Sequence, residues 1–468
     1  MPELDIPLFS GVYRNIDETV TKDLSYKLID GILDEAPSIS SRPGLALLKA
    51  SASGRRFDGL FWVDTLSLLF GLSNGTLYKY DGAFTETSLA GVTINAGIRA
   101  SFVFDGTYLL VANGGKIMYT NGTAVTQFIA DAQCPVTVRR ILLLDTYLLA
   151  FDFTTDTWNF SEPGDSLTWA ALDFASAESK PDANGGGIVF RDEFYIFGRE
   201  SMEIWEDDGV TPFARVAGGA FPTGCIAPDS VLALDNEIIW LSSDNRFVKF
   251  AGSGIEKLST PYDLEIEKFN TVADCTADRY DIKGKTFAVF QFPGQGRTLV
   301  YNSTNNNWSE WGYWNLPGGF HEAFIGGCHV FIPEIGLHVV GSRKEDGKLY
   351  EMSEEFFTDD GNVINIIAVS GHINFGTNKY KRNNSMSINV KRGYVEDDSV
   401  PVATLRFKDD KGPWSNEIEL DLGAMGDYEA PIIIHRTGRY ITRQFEFKCS
   451  APVGFVFSEA KEDFIVTR

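Results

Sequence analysis

The sequence predicts an all-β fold, a six- or seven-bladed β-propeller with an irregular N-terminal segment and a C-terminal β-sandwich. Three observations lead there. The composition combines 45 glycines with 35 phenylalanines, 17 tyrosines and 9 tryptophans, a mix suited to many tight turns between aromatic-rich strands. A short strand–turn–strand unit recurs along the chain. Its spacing, 40 to 52 residues, matches one four-stranded blade.

The repeats justify the propeller one by one. The first reads Leu69-Phe-Gly-Leu-Ser-Asn-Gly-Thr-Leu77, and the second Leu109-Leu-Val-Ala-Asn-Gly-Gly-Lys-Ile117. Further copies run through Leu148 to Phe160, Phe194 to Gly209, Ile238 to Phe250, Phe287 to Asn302 and Leu337 to Met352. Aligned after the turn, they place Leu77, Ile117, Trp158, Ile204, Phe247, Leu299 and Leu349 at one phase. A lone blade cannot bury both faces of its sheet, so neighbours must stack and the ring must close. The propeller is expected over residues 49–362. The competing arrangement of the same strands is two or three stacked sandwiches. Residues 1–48, with Pro2, Pro7, Pro37 and Pro43, are expected to be irregular and to pack across a surface, with one short helix within 18–35. Beyond the repeats, residues 363–468 form the sandwich. Its expected strands are Ser385 to Val390, Ala403 to Phe407, Glu417 to Leu422, Pro431 to His435, Gln444 to Cys449 and Gly454 to Phe457. No low-complexity linker separates the parts, so a firm junction is expected.

Charge and cysteine content narrow the function. The 468 residues carry 41 Lys and Arg against 64 Asp and Glu, a formal charge of −23, which disfavours coating nucleic acid. Cys134, Cys225, Cys275, Cys328 and Cys449 are scattered, without a Cys-x-x-Cys pair, and suit a reducing compartment better than a disulfide framework. The N-terminus has no signal-peptide pattern. The longest apolar run, Ile141 to Phe151, is broken by Asp145 and is too short for a membrane span, so none is expected. Asn-x-Ser/Thr triplets such as Asn121-Gly-Thr read as turns.

Candidate chemistry is sparse, and no catalytic, cofactor-binding or metal-binding residue is assigned. Gly71-Leu-Ser73-Asn-Gly75 has the form of a nucleophile elbow, but Asn74-Gly75 between two β runs is a hairpin turn. Gly284-Lys285-Thr286 resembles the end of a phosphate loop, yet Arg279 stands where its first glycine belongs and a strand follows. His321, Cys328, His329 and His338 fit no zinc spacing, and adjacent Cys328 and His329 face opposite sides of a strand. His372 and His435 are isolated. Paired acids for glycoside hydrolysis are not excluded by count, but Ser166-Leu-Thr-Trp169 and Asn307-Trp-Ser-Glu-Trp311 give only fragments of a sialidase-type turn. Lys379, Lys381, Arg382, Lys391 and Arg392, with Arg436, Arg439 and Arg443, crowd the last domain and suggest a contact surface for an acidic partner.

Four segments follow one another in order: Phe194-Tyr-Ile-Phe-Gly-Arg-Glu-Ser-Met-Glu-Ile-Trp205, Pro212-Phe-Ala-Arg-Val-Ala-Gly-Gly-Ala220, Gly224-Cys-Ile-Ala-Pro-Asp-Ser-Val231 and Asp235-Asn-Glu-Ile-Ile-Trp-Leu241. This succession resembles the podovirus packaged-DNA stabilisation proteins, the tail accessory factor or nozzle group. Ser41-Arg-Pro-Gly44, Arg297-Thr-Leu-Val-Tyr301 with Trp308-Ser-Glu-Trp311, and Arg436-Thr-Gly-Arg-Tyr440 with Phe445-Glu-Phe-Lys448 fit in the same order. The resemblance implies a structural virion protein rather than an enzyme. It implies a hexameric tube below the portal and its adaptor ring, retaining DNA, holding a distal needle or plug and fibres or spikes, and passing the genome on ejection. It carries no catalytic residue with it. Assembly would occur in the host cytoplasm and residence in the virion tail. An acidic lumen would repel phosphates and let DNA slide. The other readings are a cytosolic propeller scaffold or lectin, and a propeller glycosidase.

Overall fold

A computed structural model describes residues 4–6, 25–33, 38–123, 125–177, 180, 182–209, 212–252, 254–258, 261–391, 401–423, 431–454 and 456–467, and every structural statement below refers to these. Each sequence repeat is the central hairpin of one blade. The first blade comprises Phe57–Val63, Leu68–Ser73, Thr76–Tyr80 and Glu86–Ser88, in that order from the axis outward. The next five blades follow the same antiparallel plan, with inner strands Ser101–Phe104, Arg140–Leu144, Asn184–Phe190, Leu232–Ala233 and Thr276–Ile282.

The seventh blade closes the ring. Gly326–Ile332, Leu337–Ser342 and Lys348–Ser353 supply three strands, and the N-terminal strand Gly44–Ala50 pairs antiparallel with Lys348–Ser353 as the fourth, with the short strands Thr358–Asp359 and Asn362–Val363 continuing the sheet beyond it. One sheet therefore joins the two ends of the repeat region, so the ring cannot open without breaking a ladder.

Stacking explains the composition. The second strands are covered on both faces and are the most buried of each blade, Leu109–Ala112 and Ile238–Leu241 at every residue. Seven apolar clusters lie between successive blades. Trp158, Phe194 and Trp205 join the third to the fourth, and Phe57, Leu69, Val339 and Leu349 join the seventh to the first. The broken run Ile141 to Phe151 is a hairpin with Asp145 at φ 52, and no described helix is long and apolar enough to cross a membrane.

The sandwich draws on both ends of the chain. One sheet orders Gly31–Leu33, Ile39–Ser41, Val456–Thr467, Tyr380–Lys391 and Ile432–His435. The other orders Ser25–Ile29, Ile366–Ser370, Arg443–Cys449, Val402–Asp409 and Ile418–Asp421. Five expected C-terminal strands appear within a few residues of their expected bounds. The last runs much farther than Gly454 to Phe457, to Thr467.

The helix expected within 18–35 is not found where the chain is described. Ser25–Ile29 and Gly31–Leu33 are strands there, and residues 18–24 lie outside the described residues. The reason is tertiary: Ser25–Ile29 pairs with Ile366–Ser370, and Ile29 pairs in parallel with Glu310 of the sixth blade. The segment expected to be irregular thus welds the sandwich to the propeller, and one apolar cluster runs from Leu241 and Phe290 into Leu405 and Phe447.

Candidate functional site: the propeller axis and its seam with the sandwich

The inner strands start at one mouth of the ring, and arginines stand at several of these starts. Arg99 precedes the second blade's inner strand. Its guanidinium grips Asp278 of the sixth blade in a fork, Nη2 to Oδ1 at 2.6 Å and Nη1 to Oδ2 at 3.0 Å, and also donates to the Ala277 carbonyl at 3.1 Å. Arg139 and Arg140 begin the third blade and converge on Asp229 just ahead of the fifth, with Arg140 Nη2 3.0 Å from Asp229 Oδ1 and Arg139 on the other oxygen. Arg139 also donates to the Arg99 carbonyl at 2.6 Å. Arg56 pairs with Asp58 of the first blade at 3.3 Å.

Two of these links, Arg99–Asp278 and Arg139/Arg140–Asp229, are chords. In a seven-membered ring the second and sixth blades are not neighbours, so Arg99 reaches Asp278 across the hole. The axis is bridged by fixed guanidinium–carboxylate pairs, and a polymer has no straight path along it. The charges hold each other in place. Burial and the neighbouring Arg140 pull the Arg139 pKa down against the attraction of Asp229, whereas Asp278 outweighs burial and raises that of Arg99. Both oxygens of Asp229 and of Asp278 already accept from arginine. Neither carboxylate is placed at the axis as a free acid or base, as glycoside hydrolysis requires.

A second arginine centre lies at the seam between propeller and sandwich. Arg42 is fully buried. Its Nε donates to Asp30 Oδ1 at 2.7 Å, Nη1 and Nη2 to the two oxygens of Asp359 at 3.0 and 2.5 Å, and Nη2 to the Gly312 carbonyl at 2.7 Å. Asp30, held at φ 55 between two N-terminal strands, also accepts from the Gly312 N–H at 2.7 Å and from His321 Nε2 at 3.0 Å. Burial alone would lift the Asp30 pKa, but the charge of Arg42 with the His321 and Gly312 hydrogen bonds holds it below the usual range. Asp359 lacks those extra donors, and there burial prevails over Arg42 and raises the pKa.

The residues singled out from sequence separate. Asn74 and Gly75 form the turn of the first blade's central hairpin, with φ of 50 and 74, and Ser73 Oγ is buried and donates to the Arg55 and Arg56 carbonyls. Lys283 and Gly284 form another hairpin turn, followed by strand Lys285–Phe292 and no helix. His321 belongs to the seam. His329 Nδ1 donates to the Arg279 carbonyl at 2.7 Å, and its Nε2 accepts from His338 Nδ1 at 3.0 Å. Burial, reinforced by His338, lowers the His329 pKa to about 3. Cys328, on the other face, packs between the seventh and first blades. His372 is buried and His435 exposed. Among the described residues no three potential ligands form a metal cluster. The five cysteines are buried and free, with burial pushing four of the thiols up to about 12 and Cys275 well above the usual thiol range. In the sandwich, Lys381 and Arg443 are buried, Lys379, Arg382, Arg436 and Arg439 are exposed, and Arg392 lies outside the described residues. Trp169, Trp308 and Trp311 of the sialidase-like fragments are core side chains.

Sequence reasoning missed Arg42, Arg99, Arg139 and Arg140. A signal existed for the axis: Arg56, Arg99 and Arg140 recur about one repeat apart, each at or just before the start of a blade's inner strand. None existed for Arg42, whose partners lie at both ends of the chain.

The family model described as Bacteriophage P22 Gp10, beta-propeller, of the phage stabilisation type, matches residues 6–356. The chain belongs to this family. The span matched takes in all seven blades, the N-terminal closing strand, Arg42 and every axial arginine, while the C-terminal strands of the sandwich lie beyond it. Membership makes the chain a phage packaged-DNA stabilisation propeller of a structural family found in the virion. No curated protein matches. Among solved structures, the extracellular domain of the putative one-component system BT4673 from B. thetaiotaomicron is similar at 10% identity, with a TM-score of 0.46 over 89% of this chain and 61% of that one. Streptogramin B lyase is similar at 9% identity, with a TM-score of 0.43 over 67% of this chain and 98% of that one. The N-terminal domain of Nup159 gives 9% identity and a TM-score of 0.41, over 74% and 99% of the two chains. Likeness this remote transfers no activity.

Proposed function

We propose that the chain is a structural subunit of a phage tail tube. Several copies, six by the family resemblance, form a ring below the portal and its adaptor, close the channel over packaged DNA, anchor a distal needle or plug and fibres or spikes, and let the genome through on ejection. The observation that carries this reading is the bridged axis inside a matched family span. A propeller whose own hole is spanned by Arg99–Asp278 and Arg139/Arg140–Asp229 offers a duplex no route through one subunit. A channel must then be enclosed between copies, as a head-to-tail ring encloses one. The net charge of −23 supports a wall that repels phosphate and keeps the genome sliding. The subunit does this without turnover: its acids at the axis are committed to arginines, and its work is done by interfaces. Mixing the purified chain with the portal–adaptor complex of its phage and imaging the product by electron microscopy tests the reading. Rings seated on the adaptor are expected. Chains that never join it, at any salt or protein concentration, contradict the proposal. Acid-to-lysine changes on the enclosed wall are expected to slow DNA ejection in vitro, and unchanged kinetics would remove the sliding-wall element.

A further inference from the structure

One guanidinium at the mouth of the axis is left without a partner among the described residues. Arg343 follows the seventh blade's second strand, Leu337–Ser342. That strand runs antiparallel to the inner one, so it ends on the side of the ring where the inner strands start. Arg343 lies against the inner strand itself. A Cβ built on Gly327 would stand 3.0 Å from the Arg343 Cβ, and the Gly327 carbonyl accepts from Arg99 at 3.4 Å. The turn after Ser342 also packs on the chain that enters the first blade. The Ser51 N–H donates to the Gly347 carbonyl at 2.7 Å, and Arg55 meets Glu345 at 3.5 Å. A Cβ built on Gly341 would stand 2.8 Å from that of Phe57. Arg56, between Arg55 and Phe57, therefore borders the same recess as Arg343.

The carboxylates around this recess are engaged elsewhere. Asp278 holds Arg99 in its fork, and Asp58 accepts from Arg56 at 3.3 Å and from the Gly97 N–H at 2.9 Å. Glu345 faces Arg55, Asp346 accepts from the Lys348 N–H at 3.2 Å, and Glu322 accepts from Asn315 at 2.6 Å. Arg343 Nη1 is the one lysine or arginine nitrogen among the described residues that is shut off from solvent with no acceptor. A buried donor without an acceptor is costly, more so on a charged group, and marks a place that an ion or ligand completes. Burial and the charge of Arg56 both pull the Arg343 pKa below the ordinary arginine value. Water would satisfy the hydrogen bond and leave two like charges side by side, whereas an oxyanion answers both. A carboxylate offers two oxygens in one plane. A phosphate presents oxygens on several sides and can take one guanidinium on each.

We propose that Arg343 and Arg56 form a phosphate-binding site at the mouth of the axis, between the seventh and first blades. Arg343 supplies its unengaged fork, and Arg56 supplies Nη1, the nitrogen not given to Asp58 or the Gly97 carbonyl. The phosphate is the terminal group of a DNA end or free phosphate, which share this chemistry. A single site of this kind in a chain of charge −23 holds a terminus without coating a duplex. It does not depend on how many copies assemble.

Isothermal titration of the purified chain tests it, with inorganic phosphate as one probe and a blunt DNA duplex with or without terminal phosphates as the other. The unmodified chain is expected to bind phosphate, and Arg343→Met to weaken binding by about tenfold or more, because one charge-assisted fork is lost. Thermal melting in phosphate-free buffer is the folding control. Arg343→Met removes an unmatched donor, so the melting temperature is expected to hold or rise. If it falls, Arg343→Lys, which retains the charge but not the fork, is read in its place and is expected to bind more weakly as well. Tighter binding of the phosphorylated duplex than of its unphosphorylated twin supports the proposal and assigns the site to a DNA end. Binding of inorganic phosphate, with no gain from terminal phosphates on the duplex, supports it and assigns the site to free phosphate. Absence of binding to either probe, or affinity unchanged in a folded Arg343 variant, overturns the proposal. Binding of an acidic peptide by a chain that ignores phosphate overturns it too and gives the recess to a protein carboxylate.

Discussion

The seam and the axis are both built on arginine, and they differ in water and in stoichiometry. At the seam one fully buried guanidinium serves two carboxylates, and every polar atom of its fork is matched. At the axis three guanidinium groups serve Asp229 and Asp278, with side chains 9 to 24% exposed. A buried pair yields little net stability over an apolar replacement, yet losing one partner leaves an uncompensated charge in a dry place. A half-wet pair forgives the same loss because water takes the vacancy. The seam therefore functions as a staple that fixes the sandwich to the propeller, and the axis as a stopper whose value is occupancy of the hole.

The sharpest way to break the comparison is Arg42→Met, which strands Asp30 and Asp359 together. It is expected to cost about 3–5 kcal/mol of unfolding free energy, read by chemical denaturation. Cost within a few tenths of a kcal/mol would mean that the seam is not a staple.

Mild acid separates the seam from another buried group. The lowered Asp30 pKa means its contribution is complete above the unfolded value near 4 and is lost only as pH falls through the lower folded value. His329 behaves oppositely. Its folded pKa of about 3 lies below the unfolded value near 6.5, so the unfolded chain binds the proton first and stability falls as pH drops below 6.5. A loss of about 2–3 kcal/mol between pH 6.5 and 4.5 is expected from this group. His329→Asn, which retains a donor for the Arg279 carbonyl, should flatten that slope. An unchanged slope would locate the acid sensitivity elsewhere.

Arg99→Met should cost less than the seam variant, about 1–2 kcal/mol, because Asp278 can be rehydrated from the mouth. Its larger consequence is local: amide hydrogen exchange at the inner strands should rise around Ala277 and Gly327 while the seam stays protected. The smallest effect is expected at the exposed pair Lys180–Glu200, where Lys180→Ala should shift stability by less than about 0.5 kcal/mol.

The two regions also differ in how far the sequence revealed them. Blades are local: Leu109–Ala112 and Met118–Thr120 pair across a turn of a few residues, so alternating runs and Asn-Gly turns announced them. Ring closure and the sandwich are not local. Gly44–Ala50 finds its partner some three hundred residues away, and Ser25–Ile29 reads as a feeble helix until Ile366–Ser370 is beside it. The axial arginines were half legible through their phase in the repeat. Arg42 was illegible, because Asp30, Gly312 and Asp359 are brought to it only by the finished fold.

The most direct measurement of the central claim is a cryo-electron-microscopy reconstruction of the DNA-filled particle at its tail. The account predicts copies of this chain encircling a shared channel, with DNA or plug density confined to that channel and the Arg99–Asp278 bridge intact inside each propeller. Density threading the axis of an individual propeller, or a tail from which the chain is missing, would contradict it.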